Sequence, residues 1–412
     1  MSDHNFSTLS YNAGEVFTPG SPINGRDLFS GRLDQVNRIL DAISQRGFHA
    51  VLYGERGIGK TSLSNVLSDF LHDAGRTFLL PRVNCDASDN FSSLWRKILQ
   101  DVVVTEHKPR MGFTPEQVEI SRHIIDELPE QISPDDVRRA LDALSRGVTL
   151  VLVFDEFDRL TEARVRGLMS DTIKSLSDYS CHATIVVIGV ADSVSELIQE
   201  HQSIERVLMQ VPMPRMSATE IRQIVINGLT HLEMGIDENS LAEIANLSQG
   251  LPYITHLLSL HSVRAALTAK HMTVTPVDVE TGIKVSLEQW QQSIKTAYYD
   301  ATKSQQPGHL YKEVLLACAL ADMDDLGYFT AAGVRSPLRT ITSKPYDIPN
   351  FARHLKEFSE EGRGEMLERV GGRRRLRYRF KSPLMRPYIV MRGFSESLLS
   401  REQMYRIANH KN

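Results

Sequence analysis

The sequence predicts an α/β protein in three parts. A parallel sheet covered by helices comes first, then a helical lid domain, then a C-terminal winged helix. Three observations carry this. Apolar runs of strand length alternate with helical patterns over the first half of the chain, the signature of a mainly parallel sheet. After Pro212 strand signals stop and amphipathic helices follow. Near the end, two strand-like runs flank Gly371–Gly372, a hairpin signal.

Residues 1–25 are polar with Gly and Pro and are expected to form an irregular arm. A helix is expected over Arg32–Gln45, with Val36, Ile39, Leu40 and Ile43 at helical spacing. Strands are expected at His49–Tyr53, Phe78–Val83, Thr149–Phe154, Thr184–Val190 and Leu208–Val211, separated by helical patterns and closing a core over 26–213. Ser217 and Glu220 form a capping box that opens the lid, 214–303. Its further helices run from Glu238 to Gly250, from Pro252, and from Thr275–Pro276 toward Ala301. Gln305–Gly308 reads as a linker, 308–392 as the winged helix and 393–412 as a helical tail.

The chain has 412 residues, 41% hydrophobic and 24% charged, with net charge −4. That composition excludes a polybasic nucleic-acid binder as a whole and confines any such role to a patch. Cys85, Cys181 and Cys318 lie far apart without metal-ligand spacing, as expected of reduced thiols. No signal peptide or membrane-length apolar run is seen, so a cytoplasmic protein with no membrane partner is expected.

The chemistry is concentrated in two motifs. Gly54-Glu55-Arg56-Gly57-Ile58-Gly59-Lys60-Thr61 fits G-x-x-x-x-G-K-[ST], lies between a strand and a helix, and runs on into Ser62. Its glycines let backbone N–H groups close on phosphate oxygens, Lys60 supplies a point charge, and Thr61 offers a hydroxyl to Mg²⁺. The second motif is a buried strand ending in Asp155 and Glu156. Asp155 is placed to hold the metal and Glu156 to polarise the attacking water. ATP/ADP and Mg²⁺ are the expected cofactors.

The two motifs together resemble AAA+ ATPases, in particular the branch that holds origin-recognition initiators and STAND signalling ATPases. Leu28-Phe29-Ser30-Gly31-Arg32 resembles the branch's N-terminal box, which places Phe29 beside the adenine. Asp192, after the strand Thr184–Val190, stands at the sensor 1 position, often Asn in these families, with Ser193 as an alternative. Gly250-Leu251-Pro252 resembles the G-x-P signature of STAND proteins and brings Pro252 to the nucleotide. Tyr253 stands where initiators carry a sensor 2 arginine, with His256 one turn on. The resemblance implies an arginine finger acting in trans; Arg206 is best placed and Arg215 is the reserve. It further implies a homo-oligomer and a slow, assembly-dependent ATPase.

The most basic stretch is Gly372–Lys381. On a strand, Arg375, Arg377 and Arg379 share one face and Leu376, Tyr378 and Phe380 the other. Arg373, Arg375 and Arg377 are expected to meet DNA phosphates or a separate effector protein. Two functions stay open: an ATP-dependent DNA-binding initiator, loader or transposition regulator, and a STAND-like switch acting on an effector, as in defence.

Overall fold

The structure is a computed structural model that describes residues 3–23, 29–73, 77–109, 117–145, 148–198, 202–304, 309–324, 326–372 and 375–409. It opens with a helix, α1 (Asp3–Val16), where an irregular arm is expected. The expectation fails because Phe6, Leu9, Ala13, Val16 and Phe17 recur at helical spacing among polar residues. Ala13 and Phe17 are fully buried. The Phe17 ring fills the space above Gly228, where a Cβ would come within 2.4 Å of it. Burying such a ring stabilises the docked segment by about 2 kcal/mol.

Next come α2 (Leu33–Ser44), β1 (His49–Gly54), α3 (Lys60–Asp73), β2 (Phe78–Leu79), β3 (Arg82–Asn84) and α4 (Phe91–Leu99). A hairpin of β4 (Val103–Pro109) and β5 (Gln117–His123) follows, pairing antiparallel from Val103↔His123 to Pro109↔Gln117. Sequence periodicity expects only helical patterns here; the β-branched run Val102–Thr105 is the signal passed over. The core continues with α5 (Pro134–Leu144), β6 (Thr149–Asp155), α6 (Ala163–Asp178), β7 (Ala183–Val190), α7 (Val194–Leu197), α8 (Gln202–Glu205) and β8 (Leu208–Pro212).

The sheet is parallel, with β6, β7, β1 and β8 side by side and β2 and β3 sharing the far edge of β6. Alternate residues sort to its two faces, as the period of a strand requires. Val51, Leu152, Phe154, Ile185 and Val187 face the cluster holding Trp95 and Phe157. Ala50, Leu52, Val153, Val186 and Ile188 face a cluster that runs on through the lid into the C-terminal segment. Gly54 pairs with Val190 and Asp155 with Asn84, so the carboxyl ends of the central strands meet at one rim.

After β8 the chain forms α9 (Ala218–His231), β9 (Gly235–Ile236), α10 (Glu238–Ser248), α11 (Pro252–Thr268), β10 (Thr273–Val274), α12 (Pro276–Glu288) and α13 (Gln292–Thr302). The capping box at Ser217 and Glu220 is present, and Pro252 sits in the first turn of α11. Two details differ from the sequence reading. β9 and β10 make a short parallel bridge, so strands do not stop at Pro212. The single helix expected from Thr275 breaks at Trp290, which turns into the core and packs 5.4 Å from the ring of Tyr388.

The last part holds α14 (Tyr311–Leu320), β11 (Phe329–Thr330), α15 (Ala331–Thr342), α16 (Ile348–Glu357), β12 (Leu367–Val370), β13 (Arg377–Phe380), α17 (Met385–Ser395) and α18 (Arg401–Asn409). The small sheet runs β11-β13-β12, all antiparallel. Helix, strand, two helices and a hairpin is the element order of a winged helix. No helix among the described residues is long and apolar enough to cross a membrane.

Candidate nucleotide site

The phosphate loop is built by backbone the side chains permit. β1 ends at Gly54, and Gly57 (φ 82°) and Gly59 (φ 91°) take left-handed conformations that suit glycine. A Cβ on Gly54 would stand 2.5 Å from the Met213 carbonyl, so only glycine fits where the chain leaving β8 crosses the loop. Ile58 is fully buried and anchors the turn from below. Helix α3 begins at Lys60, so its positive end and free N–H groups face the cradle.

Lys60 is buried, and its Nζ donates to the Gly54 and Glu55 carbonyls at 2.9 and 2.6 Å. Burial pushes its pKa down to about 8, against the pull of Asp158, Asp155 and Glu55. The Thr61 hydroxyl donates to Asp155 Oδ2 at 2.9 Å, the pairing expected of residues that share a metal. Asp155 is buried, and its other oxygen accepts the Glu156 N–H at 2.8 Å. Arg82 on β3 donates to the same Oδ2 at 2.5 Å and also to Asn65. Sequence reasoning missed Arg82, although its place in the strand beside β6 was a usable signal.

Glu156 follows in a left-handed conformation (φ 55°) that is uncommon for a residue with a side chain. Its carboxylate is half exposed and pairs with Arg159 at 2.8 Å. Asp158, also missed, accepts the Val190 N–H at 2.7 Å and so ties this turn to the end of β7. The second aspartate of Asp155-Glu156-Phe157-Asp158 was its signal.

The remaining residues divide. Glu55 is paired with Arg215 at 2.8 Å, and Arg215 also donates to the Gln249 carbonyl at 3.1 Å. Arg215 is thus an internal tie between loop and lid, which removes it as a reserve finger. Arg56 is exposed at the loop's tip. The Ser62 hydroxyl accepts the Ile23 N–H at 3.1 Å, so its side chain is turned to the N-terminal segment. Pro252 does reach the loop: its Cγ lies 3.9 Å from where a Cβ on Gly59 would stand. Tyr253, in the first turn of α11, is partly buried. His256 is buried, packs edge-on to Phe17, and has its pKa pushed down to about 4 by burial. It is a neutral packing residue and not a substitute cation.

Of the N-terminal box, Leu28 lies outside the described residues and Phe29 packs partly buried against the core. Arg32 is buried; its guanidinium donates to the Pro214 and Ile58 carbonyls, and its N–H donates to Glu220. It therefore touches the loop, the core–lid junction and the lid's first helix at once. Arg206 is exposed just before β8, at the end of the sheet opposite the loop.

Asp192 is the largest departure. Its Oδ2 is bound by Arg379 Nη1 of the C-terminal hairpin at 2.5 Å, and Arg379 Nε also holds Glu368 at 2.7 Å. The expected outward row of arginines is therefore corrected. Arg379 turns inward; Arg377 pairs with Asp324 at 2.9 Å; both guanidinium groups stack on the Tyr328 ring, 4.6 and 4.7 Å from its centre. Arg375 is exposed, and Arg373 lies outside the described residues. The other face is as expected, with Tyr378 and Phe380 buried. Nearby, a Cβ on Gly327 would stand 2.8 Å from Glu55 Oε1, so the C-terminal segment meets the phosphate loop itself.

Residues 44–198 match the family described as AAA domain. The ORC1-type DNA replication protein of Thermoplasma volcanium is 24% identical over 211 residues, covering 49% of this chain and 47% of that protein. The ORC1-type DNA replication protein 2 of Thermoplasma acidophilum is 23% identical over 211 residues, with the same coverage. The chain thus spans about half the length of the curated relatives it matches. The Walker-type ATPase of Pyrococcus abyssi superposes with a TM-score of 0.52 at 14% identity, over 91% of this chain and 99% of that one, a likeness of fold. Residues 44–198, which hold the phosphate loop and the strand-end carboxylates, thus match an AAA domain, and ORC1-type proteins are among the relatives of the chain.

Proposed function

We propose that this chain is an ATP-hydrolysing switch in which the winged helix, residues 308–392, reads the state of the nucleotide held by the core, 26–213, and the lid, 214–303. The observation that carries the reading is the Arg379–Asp192 pair, which joins the hairpin to the rim where β7 ends beside the phosphate loop. In this reading the loop from Gly54 to Thr61 cradles the phosphates and Lys60 leaves its carbonyl partners for the β/γ-phosphates. Thr61 and Asp155 would hold Mg²⁺, which would supply positive charge to neutralise the phosphates. Glu156 turns from Arg159 to take a proton from the attacking water, giving ADP and phosphate.

Negative charge arriving at the rim competes with Asp192 for Arg379. The hairpin would then loosen from the core or be drawn onto the nucleotide, and its exposed Arg375 and Arg377 would change their surroundings. Arg206, at the far end of the sheet, suits a finger that completes the site of a neighbouring copy, so assembly would raise turnover. The switch is proposed to act in the cytoplasm on a separate effector, in the manner of STAND proteins.

The second reading, a DNA-binding initiator or loader, is favoured by the ORC1-type relatives and by the exposed Arg369 and Arg375 on the hairpin. Hydrogen exchange of Tyr328–Thr330 and Arg377–Phe380, with and without ATP in the Glu156→Gln variant, tests the switch. The proposal expects protection to change at both segments on ATP binding. Identical exchange in the two states would contradict it.

A further inference from the structure

A cavity of 680 Å³ opens between the lid and the C-terminal part, far in sequence from the phosphate loop. Its walls come from α12, α13, α14 and α17, and none of the nucleotide-site residues lines it. Five cations converge on it: Lys284, Lys295, Lys303, Lys312 and Arg392. Among the described residues that line it, Glu288 is the one carboxylate.

The cations are held in ways a ligand can replace. Lys284 and Lys303 pair with Glu280 and Asp300 of their own helices, exposed contacts that hold them weakly. Lys295 rests on the Glu288 carbonyl. Lys312 and Arg392 share a single carboxylate, Glu396. Arg392 Nε and His309 Nδ1 are buried without a hydrogen-bond partner among the described residues, a condition that a bound anion would relieve.

Beneath this rim lies an aromatic floor. Tyr298 meets Tyr388 edge-on at 5.5 Å, and Arg392 lies over the Tyr298 ring at 5.7 Å. Tyr299 is 67% exposed, with Lys303 Nζ 5.8 Å from its ring, so a flat base could stack there beside a cation. The volume falls within the ~300–1,000 Å³ of small-molecule sites. A compact cluster of five cations beside tyrosines suits one small phosphorylated ring better than a long strand, which needs an extended charged groove.

We infer that this cavity is a second ligand site that binds a phosphorylated nucleoside of mononucleotide size, contacting lid and winged helix together. Calorimetric titration of ATP and AMP tests it. The wild type should take up two ATP per chain and Lys60→Ala one. Joint Lys295→Glu and Lys303→Glu substitution should remove the second site, weakening it at least about tenfold, and leave the loop's site intact. Joint Lys295→Gln and Lys303→Gln substitution repeats the measurement if charge reversal lowers the melting temperature. One ATP in the wild type and none in Lys60→Ala, with AMP silent to about 1 mM, would overturn the cavity site while leaving the loop's site standing. One ATP lost only with the lysine pair would instead overturn the loop assignment. Displacement of AMP by a short single-stranded oligonucleotide at lower concentration would reassign the cavity to a strand and overturn the mononucleotide proposal.

Discussion

The two halves of the nucleotide site are made differently. The phosphate-holding half, Gly54–Thr61 with Asp155, is assembled from the ends of β1 and β6, which flank β7 in one sheet. In the reading half, Asp192 is held by a residue 187 positions away and Tyr253 is partly buried. Arg206 is exposed, at the end of the sheet opposite its own loop. The first half can grip a nucleotide within the core. The second can respond only by breaking contacts with another part of the chain. In the proposed switch, gripping the nucleotide is thus separated from responding to it.

The largest test breaks the first half alone. Lys60→Met should abolish nucleotide binding, a loss of at least ~100-fold, read by calorimetry. The same change should stabilise the free protein at pH 7, because burial lowers the Lys60 pKa from 10.5 to about 8. That shift corresponds to a gain on the order of 1–3 kcal/mol when the charge is removed. The sign follows from proton counts: between pH 8 and 10.5 the unfolded chain keeps the proton that the folded chain has lost. Wild-type stability should therefore rise with pH across that window, and the Lys60→Met curve should be flat there.

Glu156→Gln sharpens the comparison by sparing the grip. It should keep ATP affinity and lower turnover by about 10²–10⁴, measured as phosphate release. Full turnover in that variant would move the water-activating role elsewhere.

Arg82→Ala probes the seam between the halves. Asp155 loses a charged hydrogen bond while Thr61 remains, so stability should fall by about 2 kcal/mol in denaturant unfolding. Restoration by Arg82→Lys should be partial, because a lysine cannot reach both Asp155 and Asn65 with one fork.

The last effect is silent at pH 7 and lies at the start of β1, at the end of the sheet opposite the loop. His49 is wholly buried, accepts the Ile185 N–H at 3.0 Å, and is held neutral with its pKa pushed down to about 3. The unfolded chain takes up a proton below about 6.5 that the folded chain refuses. Stability should fall as pH drops from 6.5 toward 3, and His49→Gln should flatten the slope in that range.

The same division explains what was legible in the sequence. Gly57, Gly59 and Lys60 are read by local rules, because a left-handed turn between strand and helix admits few residues. The capping box at Ser217 and the first-turn Pro252 are likewise local and agree with the structure. The contacts of Asp192, Arg215 and Arg82 depend on which distant side chain arrives, and no periodicity encodes that. Arg379 shows the limit well. Alternation places it correctly on the face opposite Tyr378, yet at Arg379 that face meets Asp192 of the core, while Arg375 and Arg377 stay exposed. Helix α1 was obscured because its apolar positions are few, although their spacing was sufficient.

The central claim is that the hairpin and the nucleotide site share one energy balance through Arg379 and Asp192. A double-mutant cycle on ATP affinity, using Arg379→Ala, Asp192→Ala and both together, measures this directly. A pair linked to the nucleotide predicts that either single change shifts the dissociation constant, and that the double change departs from additivity by about 1–2 kcal/mol. Strictly additive effects, or affinities indistinguishable from wild type in all three variants, would contradict the account and leave the pair as a surface contact.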